Sequence, residues 1–176
     1  AQGNLLEWWG PASTPLGEMT TGNGLNGRMT SAPYVFDNVI GGGKTGGTRS
    51  FSSGPGGTTA SSIVPNVLAG SLIEMSGALN GGSISSTEPL YGTLSLYEAS
   101  GGNQTLVHEE PVTIVSNGLV NPGGSYGAEG ASVNSPRKFA TRSGNVTYTV
   151  TFVRTGGSSY VNGATLSGGV IITPPA

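Results

Sequence analysis

Three observations predict an all-β fold for this chain: no helical pattern, recurring short runs of alternating apolar residues, and Gly, Asn and Pro punctuating those runs. An amphipathic helix needs an apolar 3.6-residue period free of helix breakers. No window longer than ten residues meets that requirement. The best candidate, Val67 to Ala78, contains Gly70 and Gly77 and reads as two strands meeting at Gly70. At 176 residues the chain suits one domain, which on folding buries roughly 70% of the surface exposed by the unfolded chain.

The strands follow from alternation, because successive side chains of a strand point to opposite faces. Tyr34–Ile40, Ser71–Leu79, Leu90–Glu98, Thr105–Val115 and Asn145–Arg154 are the expected strands, with a weaker one over Ala164–Thr173. In Leu90–Glu98, residues Leu90, Gly92, Leu94, Leu96 and Glu98 share one face, opposite Tyr91, Thr93, Ser95 and Tyr97. In Asn145–Arg154, Val146, Tyr148, Val150 and Phe152 oppose Thr147, Thr149, Thr151 and Val153. That segment has the cleanest two-residue period, which predicts a central strand. Between the runs lie Gly/Ser-rich stretches at Gly41–Ala60, Asn80–Ser86 and Gly118–Arg137, the first expected to hold a short strand near Thr48–Phe51. Short strands at such spacing predict a β-sandwich, immunoglobulin-like or jelly-roll. Residues 21–176 would form it, with residues 1–20 as an N-terminal extension.

Composition narrows the function classes. Charged residues are 9% of the chain and the formal charge is −2, so there is no basic stripe of the kind nucleic acid recognition uses. No apolar run approaches the ~20 residues of a membrane-spanning helix, and membrane insertion is not expected. The start Ala1-Gln2-Gly3, with low charge and abundant Gly, Ser and Thr, predicts an extracellular protein matured by signal-peptide removal. With no Cys and one His, the usual triads and zinc motifs are excluded or incomplete. We expect no catalytic site, cofactor or metal.

Gly41-Gly42-Gly43-Lys44-Thr45 suggests a phosphate loop, but Asn38 stands where that loop needs its first Gly and no helix pattern follows. It reads as a glycine-rich loop. His108-Glu109-Glu110 is the one place where histidine meets carboxylates. On a strand, His108 and Glu110 share a face and Glu109 takes the other, and solvated strand residues are the expectation.

The densest apolar patch is Leu5, Leu6, Trp8 and Trp9. Each indole can bury on the order of 200 Å², so three uses compete: packing on the chain's own sheet, contact with a neighbouring subunit, or a sugar-stacking platform formed with Tyr91 and Tyr97.

The run Gly144-Asn145-Val146-Thr147-Tyr148-Thr149-Val150-Thr151-Phe152 and the later Gly169-Val170-Ile171-Ile172-Thr173 resemble the last two strands of bacterial chaperone–usher fimbrial subunits, most nearly the cysteine-free K88-like branch. The resemblance implies an immunoglobulin-like fold lacking its final strand, completed by the N-terminal segment of the next subunit through β-augmentation. Pro11 and Pro15 in the N-terminal segment and the ending Thr173-Pro174-Pro175-Ala176 depart from the family pattern.

The expected function is therefore an extracellular structural subunit of a fimbria-like surface filament, with Leu5, Leu6, Trp8 and Trp9 in the contact and identical or related subunits as partners. The alternatives are a carbohydrate-binding or adhesin module that recognises cell-surface glycans, and a viral coat or decoration protein.

Overall fold

The computed structural model describes residues 46–175. The expected strand Tyr34–Ile40, the Gly41–Thr45 run, the extension 1–20 and the patch Leu5, Leu6, Trp8 and Trp9 lie outside the described residues. Every regular element among the described residues is a β-strand.

In chain order the strands are β1 (Gly47–Pro55), β2 (Thr59–Val67), β3 (Leu72–Asn80), β4 (Ser83–Ile84), β5 (Leu90–Ser100), β6 (Asn103–Ile114) and β7 (Ser116–Val120). They continue as β8 (Tyr126–Ala128), β9 (Ala131–Asn134), β10 (Lys138–Phe139), β11 (Gly144–Gly157), β12 (Tyr160–Asn162) and β13 (Thr165–Thr173). Two antiparallel sheets form a β-sandwich. One has the order β1-β13-β3, with β9 and β10 both paired to the far side of β3. The other has the order β2-β11-β5-β6. A third, small sheet with the order β12-β4-β8-β7 is built from the connections β3–β5, β6–β9 and β11–β13, all at one end of the sandwich. Gly47 pairs with Ile172 at the opposite end.

The expected central strand is indeed interior: β11 lies between β2 and β5. Its Val146, Tyr148, Val150 and Phe152 are buried, and they meet Leu90, Leu94 and Leu96 of β5 and Ile73, Met75, Leu166, Val170 and Ile172 of the facing sheet. The expectation of two strands meeting near Gly70 also agrees with the structure, since β2 ends at Val67 and β3 begins at Leu72. Between them Gly70 has φ 87°, and Ser71 N–H donates to Leu68 C=O at 3.1 Å. Gly101 and Gly102, with φ 57° and 82°, form the two-residue turn that closes the β5–β6 hairpin, a geometry that needs positive φ at both positions.

Three stretches read as loops are strands instead. Gly41–Ala60 contains all of β1, longer than the short strand expected near Thr48–Phe51, and the start of β2. Gly118–Arg137 holds most of β7 and all of β8 and β9, and Asn80–Ser86 holds β4. Serine hydroxyls beside the strands satisfy backbone groups of neighbouring segments. Ser135 Oγ accepts from Met75 N–H at 2.9 Å, and Ser158 Oγ donates to Glu88 C=O at 2.6 Å.

Candidate functional site

His108 Nε2 and Glu110 Oε1 are 3.2 Å apart, and no group of three or more His, Cys, Asp or Glu side chains able to hold a metal occurs among the described residues. Their setting has a structural explanation. β6 is an edge strand, and the register slips at Val107, so that Leu96 pairs with His108 while Tyr97 pairs with Leu106. His108 and Glu110 consequently share the inward face with Val112 and Ile114, at the open margin of the sandwich. A bulge, inward-pointing charges and Pro111 are devices that stop an edge from pairing with another chain. Lys138 Nζ adds a hydrogen bond to the bulged Val107 C=O.

Two other margins are guarded in similar ways. On β2, Pro65 and Asn66 (φ 59°) break the register between Val64 and Val67, and Arg49 Nη1 donates to Ile63 C=O at 3.2 Å. The margin beyond β3 is split into β9 and β10 by Ser135, Pro136 and Arg137.

Glu98 carries the most perturbed carboxyl among the described residues. It points inward at the end of β5 and is only 1% exposed. Thr141 N–H donates to its Oε2 at 2.9 Å and Thr141 Oγ1 to the same atom at 3.2 Å. Burial pushes this carboxyl above its ordinary value, while the bonds from Thr141 and the backbone of Arg142 pull it partly back. Beside it, the Tyr148 hydroxyl is raised by burial and then by the Glu98 charge. Glu98 ties the β10–β11 connection to the core.

The outward faces of the two sheets differ in how many apolar side chains they expose: Ile171 and Phe139, at 47% and 69%, on the first, and four on the second. On β1-β13-β3 the outward positions are Thr48, Ser50, Glu74, Ser76, Gly169 and Ile171, around a shallow depression of about 310 Å³. No aromatic side chain lines it. On β2-β11-β5-β6 the outward rows carry Ile63, Leu106, Val153 and Tyr91, which are 59%, 48%, 59% and 42% exposed. Tyr97 pairs with Leu106 on that face. Threonines 147, 149 and 151 fill the spaces between. Glu109 is the one charged residue among these outward positions, and it accepts a hydrogen bond from Ser95 Oγ at 3.3 Å. Depletion of charge with exposed aromatic and aliphatic side chains is the composition of an interface core. Leu119 and Val120, on β7 of the end sheet, are also exposed.

The platform residues Tyr91 and Tyr97 thus share a face, as expected, but they sit six positions apart on one strand with Thr93 and Ser95 between them. At the rise of a strand that is roughly 20 Å, too far for both rings to stack on one pyranose. Comparison of the chain with family models, with curated proteins and with solved structures finds no match.

Proposed function

We propose that this chain is a structural subunit that assembles with copies of itself into a coat or shell, through the charge-poor outward face of β2-β11-β5-β6. The observation that carries this reading is the strand order. Strands β1, β2, β3 and β5 alternate between the two sheets, as do β9, β11 and β13, while the β5–β6 hairpin and the short pair β9 and β10 each stay within one sheet. This alternation favours a jelly-roll reading of the sandwich over an immunoglobulin-like one, and coat proteins are a common use of jelly rolls. Fold alone does not fix function, and the two contrasting faces supply the rest. Each carries one carboxylate, Glu74 on β3 and Glu109 on β6; the β2-β11-β5-β6 face presents Ile63, Leu106, Val153 and Tyr91, and the other presents Ile171 and Phe139 among hydroxyls.

A fimbria-like filament is the second reading, resting on the resemblance at Gly144–Phe152 and Gly169–Thr173. Strand donation needs an open place beside the last strand. Here β13 has β1 on one side and β3 on the other, which favours contact through a face over contact through a missing strand. A lectin-like role would use Tyr91 and Tyr97 as separate stacking points.

Sedimentation velocity and negative-stain imaging of the full chain test these readings together. Closed shells or a discrete large oligomer are expected. Ile63→Glu and Val153→Glu should each weaken assembly at least ~10-fold, because a carboxylate must then be desolvated in the contact. Neither should change the β-type circular dichroism spectrum, since both side chains are exposed. Filaments would favour the fimbria-like reading. A monomer whose glycan binding disappears in Tyr91→Ala or Tyr97→Ala would overturn the coat reading in favour of the sugar-binding one.

A further inference from the structure

We infer that the Leu5–Trp9 segment of a neighbouring copy docks on the outward face of β2-β11-β5-β6, over Ile63, Tyr97 and Leu106. This rests on the subunit reading above and names the occupant of its contact face. Three observations lead to it.

The first is the state of the face in a single chain. Ile63 and Leu106 are 59% and 48% exposed among the described residues, so the face is open to an occupant. The second is where the apolar side chains sit. Ile63 lies near the end of β2 that leads to Gly70, and Arg49, two residues after Gly47, bonds to its carbonyl. Tyr97 and Leu106 are directly paired, one outward row from Ile63. This cluster lies toward the end of the sandwich where β1 begins. The third is the chain preceding β1. It contains the densest apolar patch of the sequence, Leu5-Leu6-Glu7-Trp8-Trp9, separated from Gly47 by 37 residues. Fully extended, such a length spans up to ~125 Å, ample to reach an adjacent subunit. Two indoles can bury on the order of 400 Å², and they match a surface of one aromatic and two aliphatic side chains set among threonines. The guards on β6, β2 and β9/β10 oppose strand addition at those margins, and the remaining edge strand, β1, offers indoles only Thr48, Ser50 and Ser52 at its outward positions, so the segment is assigned to the face.

The chain has two Trp, both in this segment. Intrinsic tryptophan emission therefore reports on the segment alone, in the unmodified protein. Across a concentration series that brackets assembly, as read by sedimentation velocity, the emission should be blue-shifted and protected from acrylamide in the assembled state. On dilution it should shift to the red and become quenchable. Ile63→Glu and Leu106→Glu should each red-shift the emission and weaken assembly at least ~10-fold. Ile171→Glu, on the other sheet's outward face, should change neither.

Three results would overturn the assignment while leaving the subunit reading intact. They are assembly with water-exposed tryptophan emission, assembly unchanged after deletion of residues 1–10, and blue-shifted emission that Ile63→Glu and Leu106→Glu leave untouched. Blue-shifted emission that persists in a dilute monomer would place the segment on its own chain, and also overturns it. Absence of assembly at every concentration would overturn the subunit reading itself.

Discussion

Gly168→Val is expected to destabilise the sandwich by about 3 kcal/mol, read as a lower urea midpoint at unchanged slope. Gly168 and Gly77 are directly opposite each other on β13 and β3, in the same inward row as Phe51 of β1. A Cβ at Gly168 would lie 2.5 Å from Val150 Cγ2 and 2.6 Å from Phe51 Cε2. At Gly77 it would lie 2.9 Å from Val150 Cγ1 and 3.1 Å from Leu96 Cδ2. The two glycines leave the room that Val150, Leu96 and Phe51 fill. Gly168 does not have a positive φ, so backbone strain contributes nothing to the expected loss. A double-mutant cycle isolates the cause: Val150→Ala opens space, and Gly168→Ala with Val150→Ala should be less destabilised than the sum of the single changes by about 1–2 kcal/mol. Gly156→Ala, whose Cβ would meet nothing within 4 Å, serves as the neutral control. Wild-type stability in Gly168→Val would mean that the sheets do not approach as described.

The same row explains much of what sequence alone reveals and conceals. β11 is legible because Val146, Tyr148, Val150 and Phe152 alternate with threonines and the valine of the outward face. β1 is legible only as the short strand expected near Thr48–Phe51, because its single large apolar residue is Phe51; glycine and serine read as loop signals, although here they make space and supply hydroxyls. On the outward face of β2-β11-β5-β6, Tyr91, Tyr97 and Val153 are assigned correctly by parity. Ile63 is missed because it follows a serine-rich run and precedes Pro65. The outward turn of Leu106 depends on the bulge at Val107, which inserts one residue and reverses the alternation. No feature of the sequence announces that slip. Glu98 is the converse case: its parity with Leu94 and Leu96 points inward, while its charge argues for the surface. Parity prevails because the backbone N–H groups of the β10–β11 connection reach its carboxylate.

That buried carboxylate sets the second large effect. Glu98→Leu should destabilise the protein by about 3 kcal/mol, because Thr141 N–H and its neighbour lose their acceptor in a buried position. Glu98→Gln keeps an acceptor for Thr141 N–H and removes the charge, so it separates the hydrogen bond from the ionisation. The folded-state pKa of Glu98 is raised above the ordinary 4.5, so over the interval between those two values the folded state holds more protons than the unfolded state. Stability therefore declines as pH rises through that interval and levels off above it. Thermal melts from about pH 4 to about pH 7 should show this decline for Glu98 as the difference between wild type and Glu98→Gln, with the Gln variant at least as stable at the neutral end. Tyr148→Phe sharpens the test. The Tyr148 hydroxyl is buried with no hydrogen-bond partner among the described residues, so its removal should be neutral or stabilising by about 1 kcal/mol. A Gln variant that is less stable than wild type at neutral pH would show that the charge itself holds the β10–β11 connection, and that desolvation is not the dominant cost at this site.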